Sequence, residues 1–229
     1  MTDMYGIAAN PLAVALPKWP AMVVHGDPVT PEQAGNIIVR TESWYISSND
    51  QDWARQVYEA IGISTNGDRH WVQPNYKDLD RFKADIGYVG EVDYLANDRI
   101  ASAWVGGPHG WCDWNGHIGS DNYNIGKWPG AEDVFREWSA IAAAFPYLNL
   151  RCQLFSGETC EAETVPLIEY VVRDSEAVAQ APSAPLQRPR ELTDAVVAGM
   201  FAPGRERGCS IEQLTRAVAA ARASRTEAR

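Results

Sequence analysis

The sequence predicts an α+β fold: an antiparallel sheet with helices packed on one face, followed by short C-terminal helices. Three observations carry this expectation. Apolar residues recur at helical spacing over 30–41, 50–61 and 131–145. From residue 99 onward the period changes to two. Within that half, Leu148, Leu150, Cys152 and Leu154 fall on one face of a strand, with Asn149, Arg151 and Gln153 on the other.

Taken in order, residues 1–17 form an irregular N-terminal segment, and irregular structure is expected through residue 29 because Pro stands at 11, 17, 20 and 28. Thr30, Pro31 and Gln33 spell a helix start: an N-cap hydroxyl, a proline at the first helical position and the partner of a capping box. That helix should end near Thr41, with Ser43–Ser47 as a short strand. Asn49 or Asp50 caps the next helix, whose stripe is Trp53, Val57, Ala60 and Ile61 and whose terminator is Gly62. Tyr76–Ala84 reads as a third, short helix. Arg99–Val105, 110–118 and 121–128 read as strands, the last two joined at Gly119-Ser120. Val134, Trp138, Ile141 and Phe145 mark the strongest helix, with Glu132 and Asp133 in its first turn. Leu148–Leu154 and Val165–Arg173 complete the sheet.

This body spans 18–176. The Ala/Pro-rich stretch 177–190 reads as a linker. Residues 191–229 read as a small basic tail with two helices, Leu192–Met200 and one opened by Ser210 and Gln213, ending in a frayed ARASRTEAR.

Charge and composition narrow the function. Residues 1–180 carry 25 acidic and 12 basic side chains, net −13, and residues 181–229 carry 5 and 8, net +3, which together give −10. An acidic body repels phosphate, so nucleic acid is an unfavourable partner for the body and is left to the tail, where Arg205 and Arg207 precede a short amphipathic helix and Arg216 lies on it. The acidity suits solubility or a basic protein partner. No apolar run approaches a membrane span, and no leader peptide is legible at the N-terminus, so a cytoplasmic protein with no membrane partner is expected. Cys112, Cys152, Cys160 and Cys209 form no CxxC pair and read as free thiols.

The stretch GGPHGWCDWNGHIGSDNYNIGKW, residues 106–128, holds the candidate site. On an extended strand, His109, Trp111, Asp113, Asn115 and His117 share one face, opposite Cys112 and Trp114. Residues four apart on a strand lie about 13 Å apart, whereas two ligands of one zinc must lie within about 4 Å, so no metal site is expected there. Cys112 faces away from both histidines, which removes it as a nucleophile. Trp beside Asn, Asp and His is the composition of a stacking platform for a ligand, and equally of a hairpin held by cross-strand Trp pairs. As a surface it would comprise His109, Trp111, Asp113, His117, Asn122, Tyr123 and Lys127.

The strings WVGGPHGWCDW at 104–114 and NYNIGKWP at 122–129 resemble proteins of tailed bacteriophages over roughly residues 18–175. More distantly, the Trp-rich strand followed by helix, strand and strand is similar to the ferredoxin-like domain of YubB-type plasmid and phage proteins. The resemblance implies a phage accessory protein at work inside a bacterial cell, with a ferredoxin-like-related sandwich; it brings no catalytic residues and no cofactor. The expected activity is therefore binding of a host protein or small ligand through 106–128. Two alternatives stand beside it: a small-molecule enzyme using His109, Asp113 or His117 as acid–base groups, and a DNA-associated regulator acting through the C-terminal helices.

Overall fold

A computed structural model describes residues 10–44, 46, 51–68, 70–90, 92–96, 110–124, 129–156, 165–186 and 209–227, with the backbone alone at 120–124 and 226–227. In chain order its elements are β1 (Ala21–Gly26), α1 (Pro31–Thr41), α2 (Gln51–Ile61), α3 (Tyr76–Ile86), β2 (Gly119–Asn124), α4 (Ala131–Ala144), β3 (Leu150–Phe155), β4 (Pro166–Arg173), β5 (Glu176–Gln180) and α5 (Ile211–Glu227). This is an α+β fold. The order of the described elements is not the βαββαβ order of the ferredoxin-like fold. The expected strand Arg99–Val105, the expected helix Leu192–Met200 and residues 125–128 of the expected strand 121–128 lie outside the described residues.

The chain divides into two compact units. The first holds Met1–Asp27, Asp93–Leu95 and Ile118–Pro189; the second holds Pro28–Val92, Ala96–His117 and Arg190–Arg229.

The first unit is built on a five-stranded sheet in the order β2-β1-β3-β4-β5, with every pair antiparallel. Its second strand, β1, corrects the expectation of irregular structure before residue 29. Ala21, Met22, Val23 and Val24 are all completely buried. A strand covered on both faces carries a continuous apolar run rather than an alternation. Pro17, Pro20 and Pro28 flank that run without interrupting it. The alternation of β3 is as expected: Leu150, Cys152 and Leu154 are buried together, and Cys152 pairs with Tyr170 of β4. The register shifts between Leu154 and Phe155.

β5 lies inside the segment expected to be linker. Asp174 and Ser175, with φ of 52° and 66°, form the two-residue left-handed turn that suits a tight hairpin. The boundary expected at 176 thus falls within a β-hairpin. α4 packs against β4 and β5 through a stripe containing the buried Val134, Trp138 and Ile141. The Tyr170 hydroxyl donates to the Ala131 carbonyl at 2.9 Å, which pins the start of α4 to the sheet.

The second unit is helical. Thr30 and Gln33 form the expected capping box at the start of α1, with bonds of 3.2 and 2.9 Å. Gly62, at φ +84°, terminates α2 as its position suggests. The Asn75 side chain caps α3, and Gly87 in the left-handed region ends it. The expected strand Ser43–Ser47 is corrected. Trp44 sits at φ 59° and is fully buried, its indole N–H donating to the Val39 carbonyl at 2.8 Å and its ring meeting Phe82 edge-on at 4.7 Å. A backbone turned that sharply cannot continue a ladder.

α5 is longer than the frayed tail expected, and it packs on α1, α2 and α3. Leu214, Val218 and Ala221 are its buried stripe. Gly35 of α1 permits the close approach: a Cβ there would lie 3.1 Å from Ala217 Cβ. Among the described helices, none is long and apolar enough to cross a membrane.

Candidate functional site

The stretch expected as one extended face is not one. Residues 110–117 belong to the second unit and 118–124 to the first. Between Cys112 and Ile118 the chain turns tightly rather than running straight. The cause is local. Gly116 takes φ +88°, and its N–H reaches the Asp113 carbonyl at 3.1 Å. The Asp113 carboxylate accepts the N–H groups of Asn115 at 2.8 Å and His117 at 3.1 Å. The Gly116 carbonyl also accepts the Val29 N–H at 2.9 Å, and a Cβ at Gly116 would collide with the Val29 carbonyl oxygen. Only glycine fits this combination of positive φ and backbone-to-backbone approach.

This turn corrects several of the expected roles. Trp111 is completely buried, so it presents no stacking face. Cys112 is buried too, and Trp114 is 7 % exposed. Trp114 packs near α1, 3.6 Å from where a Gly35 Cβ would stand. Asp113 and His117 are not far apart on a strand but are backbone partners across the turn, 3.1 Å apart from the Asp113 N–H to the His117 carbonyl. Asp113 acts on its own loop, which weakens its candidacy as an acid–base group. His117 and Asn115 are exposed. Asn122 and Tyr123 lie on β2, where only the backbone is described, and His109 and Lys127 lie outside the described residues. Among the described residues, no group of three or more His, Cys, Asp or Glu could hold a metal ion.

The thiols behave as buried apolar groups. Cys112, Cys152 and Cys209 are free and buried. Burial pushes the Cys152 thiol far up, and burial beside the Glu42 carboxylate pushes that of Cys209 up to about 12. Neither supplies a thiolate near neutral pH. Cys160 lies outside the described residues.

The tail arginines divide. Arg222 donates to the Ile61 carbonyl at 3.4 Å, at the end of α2, and its guanidinium lies 5.5 Å from the Phe82 ring centroid. Arg225 covers the C-cap of α3, where a Cβ on Gly87 would lie 2.6 Å from its Cδ. Cations at helix C-termini complement the dipole, so these two serve the fold. Arg216 is exposed, while Arg205 and Arg207 lie outside the described residues.

Ser64–Asn75, to which the sequence reading assigned no role, presents what 106–128 does not. Trp71 is 54 % exposed and Tyr76, just beyond the loop, 59 %. The loop beneath Trp71 is tightly built. Thr65 and Pro74 form an antiparallel bridge. The Asn66 amide donates to the Trp71 carbonyl at 2.9 Å and accepts the N–H groups of Asp68 and Gln73 at 3.3 and 3.1 Å. The Asp68 carboxylate accepts the N–H of His70 at 2.8 Å and of Trp71 at 3.4 Å, and the first of these does most to hold its ionisation below the usual carboxylate range. From α2, Gln51 accepts the Val72 N–H at 2.6 Å and Arg55 donates to the Asp68 carbonyl at 2.6 Å. The buried Ile63, Val72 and Pro74 anchor the base. Two signals were present in the sequence: the turn dipeptide Asn66-Gly67 between a helix terminator and a helix cap, and a tryptophan outside any periodic stripe.

Two carboxyls are buried among the described residues of the first unit. Glu137 of α4 is 3 % exposed and accepts the N–H groups of Asp93, Tyr94 and Leu95 at 2.8–3.1 Å. Burial, opposed by those three donors, raises its pKa to about 7. Glu169 of β4 is completely buried; burial works to raise it, but hydrogen bonds from Arg151, Gln153 and Ser183 prevail and hold it at about 2.

No family model matches this chain, and neither a curated protein nor a solved structure matches it.

Proposed function

We propose that this chain is an accessory protein that acts by binding a host protein, and that the Trp71 loop supplies the anchoring contact. The observation that carries the reading is the combination of two exposed aromatic side chains, Trp71 and Tyr76, with a loop whose N–H groups at Asp68, His70, Trp71, Val72 and Gln73 are already accepted by the side chains of Asn66, Asp68 and Gln51. Trp and Tyr dominate the energetics of protein interfaces. A loop ordered in advance loses little conformational entropy on docking. The net charge of −10 favours a basic partner surface. The phage setting rests on the resemblance of WVGGPHGWCDW and NYNIGKWP, and the exposed side chains of Asn115 and His117 are the described part of 106–128 that remains available for contact.

The test is affinity capture from bacterial lysate with wild type, Trp71→Ala and Tyr76→Ala, each first shown to unfold at the wild-type midpoint. A specific host protein retained by wild type and reduced at least about tenfold by Trp71→Ala supports the reading, since an anchor aromatic contributes 2 kcal/mol or more. Equal capture by all three would end it.

A further inference from the structure

In the first unit, residues 181–186, APSAPL, run past β5 and lie over β3 and β4 as a strap. Two completely buried polar side chains hold them, Gln153 and Glu169. The Gln153 amide substitutes for a peptide group of a neighbouring strand: its Nε2 donates to the Ala184 carbonyl at 3.2 Å and its Oε1 accepts the Leu186 N–H at 2.9 Å. Glu169 Oε2 accepts the Ser183 N–H at 3.0 Å and the Ser183 hydroxyl at 2.9 Å. Arg151 donates to Glu169 Oε1 at 2.7 Å and also to the Ser183 hydroxyl. Leu186 packs on Ala21, Val23 and Phe155.

Main-chain groups at 183, 184 and 186 are therefore read by side chains, and Pro185 falls where no N–H needs a partner. The receiving side is built and costly: Arg151 and the Gln153 amide already donate to Glu169 at 2.7 and 2.9 Å, but Gln153 Oε1 has its Leu186 partner, and Glu169 its two Ser183 donors, only while an extended segment lies across them. The seated side is lightly held. Ser183, Ala184 and Pro185 are exposed, and Leu186 is half-buried. Prolines at 182 and 185 restrict the strap toward the extended form it needs.

We propose that this face of the sheet is a binding groove for an extended Ser-Ala-Pro-Leu-type peptide, filled in cis by residues 183–186 and open to a like segment of a partner protein when the strap lifts. The groove is independent of the Trp71 loop, and either can fail without the other.

The experiment uses the full chain carrying Ser183→Pro and Leu186→Asp, which remove the N–H and hydroxyl donors of residue 183 and place a charge on the strap's apolar seat. The probe is a fluorescein-labelled peptide of residues 180–188, followed by anisotropy. The expected result is saturable binding to the strap variant and at least about tenfold weaker binding to wild type, where the tethered strap competes at an effective concentration on the order of millimolar. Adding Gln153→Ala should abolish binding, as should replacing the serine and leucine of the peptide with alanine. No saturable binding by a cooperatively unfolding strap variant overturns the proposal, and so does binding indifferent to Gln153→Ala. If the strap variant does not unfold cooperatively, wild type titrated with the peptide at millimolar concentrations decides: amide shifts confined to 151–155, 168–170 and 183–186 support the groove, and their absence refutes it.

Discussion

Two tryptophan-bearing loops in the helical unit use one device and reach opposite ends. In Gly110–His117, Asp113 gathers the N–H groups of Asn115 and His117; in Ser64–Asn75, Asp68 gathers those of His70 and Trp71. Both loops turn on a left-handed glycine, Gly116 at +88° and Gly67 at +72°. Yet Trp111 is completely buried and Trp71 is 54 % exposed. The carboxylate and the glycine set how a loop turns. Which way its ring faces depends on what stands behind it, and composition carries no record of that. The loop richer in Trp and Gly is here the more structural of the two.

The comparison breaks most readily at Trp111. Trp111→Ala should lose about 3–5 kcal/mol in denaturant unfolding, the usual cost of emptying a buried tryptophan site. A loss under 1 kcal/mol would mean that the ring is not part of the core.

Glu137 applies the same device in a buried setting, and its pH dependence has a definite sign. The carboxyl's folded pKa, about 7, stands above its ordinary value of 4.5. The folded state therefore holds a proton that the unfolded state releases. The associated stability is fully present below pH 4.5 and is lost as pH rises through 7. Measured against Glu137→Gln, wild type should lose on the order of 3 kcal/mol between pH 4.5 and 7. A pH-independent difference between the two proteins would refute the assignment.

Smaller effects separate the turn from the ring. Asp113→Ala removes two hydrogen bonds to backbone N–H groups from an accessible loop and should cost about 1–2 kcal/mol. The readout is the unfolding midpoint together with faster amide exchange at Asn115 and His117. Trp71→Ala should change stability by no more than about 0.5 kcal/mol, as expected of an exposed side chain, while host-protein capture falls. A large stability loss there would make Trp71 structural and remove the contrast between the loops.

Much of the scaffold was legible in the sequence. The Thr30–Gln33 capping box, the Gly62 terminator, the stripe of α4 and the alternation of β3 are set by neighbours three or four residues apart, or by the period of two. β1 was hidden because a strand covered on both faces shows no alternation, and prolines frame it. β5 was hidden because a short edge strand of Glu, Ala, Val and Gln resembles a linker until its turn at Asp174-Ser175 folds it back. The expectation of a single extended face failed on one assumption, that 110–118 is extended. Gly116 reverses the chain there, and a glycine signals freedom without stating how it is used.

By itself the sequence determined the fold class, most helix boundaries and the two faces of β3, because these follow from periodicity and from caps that act within one turn of chain. Only the tertiary structure decided which tryptophans are buried, that α5 seats on three helices, and that Gln153 and Glu169 hold the strap. Those outcomes depend on partners distant in the chain. No residue's own pattern records what will pack against it.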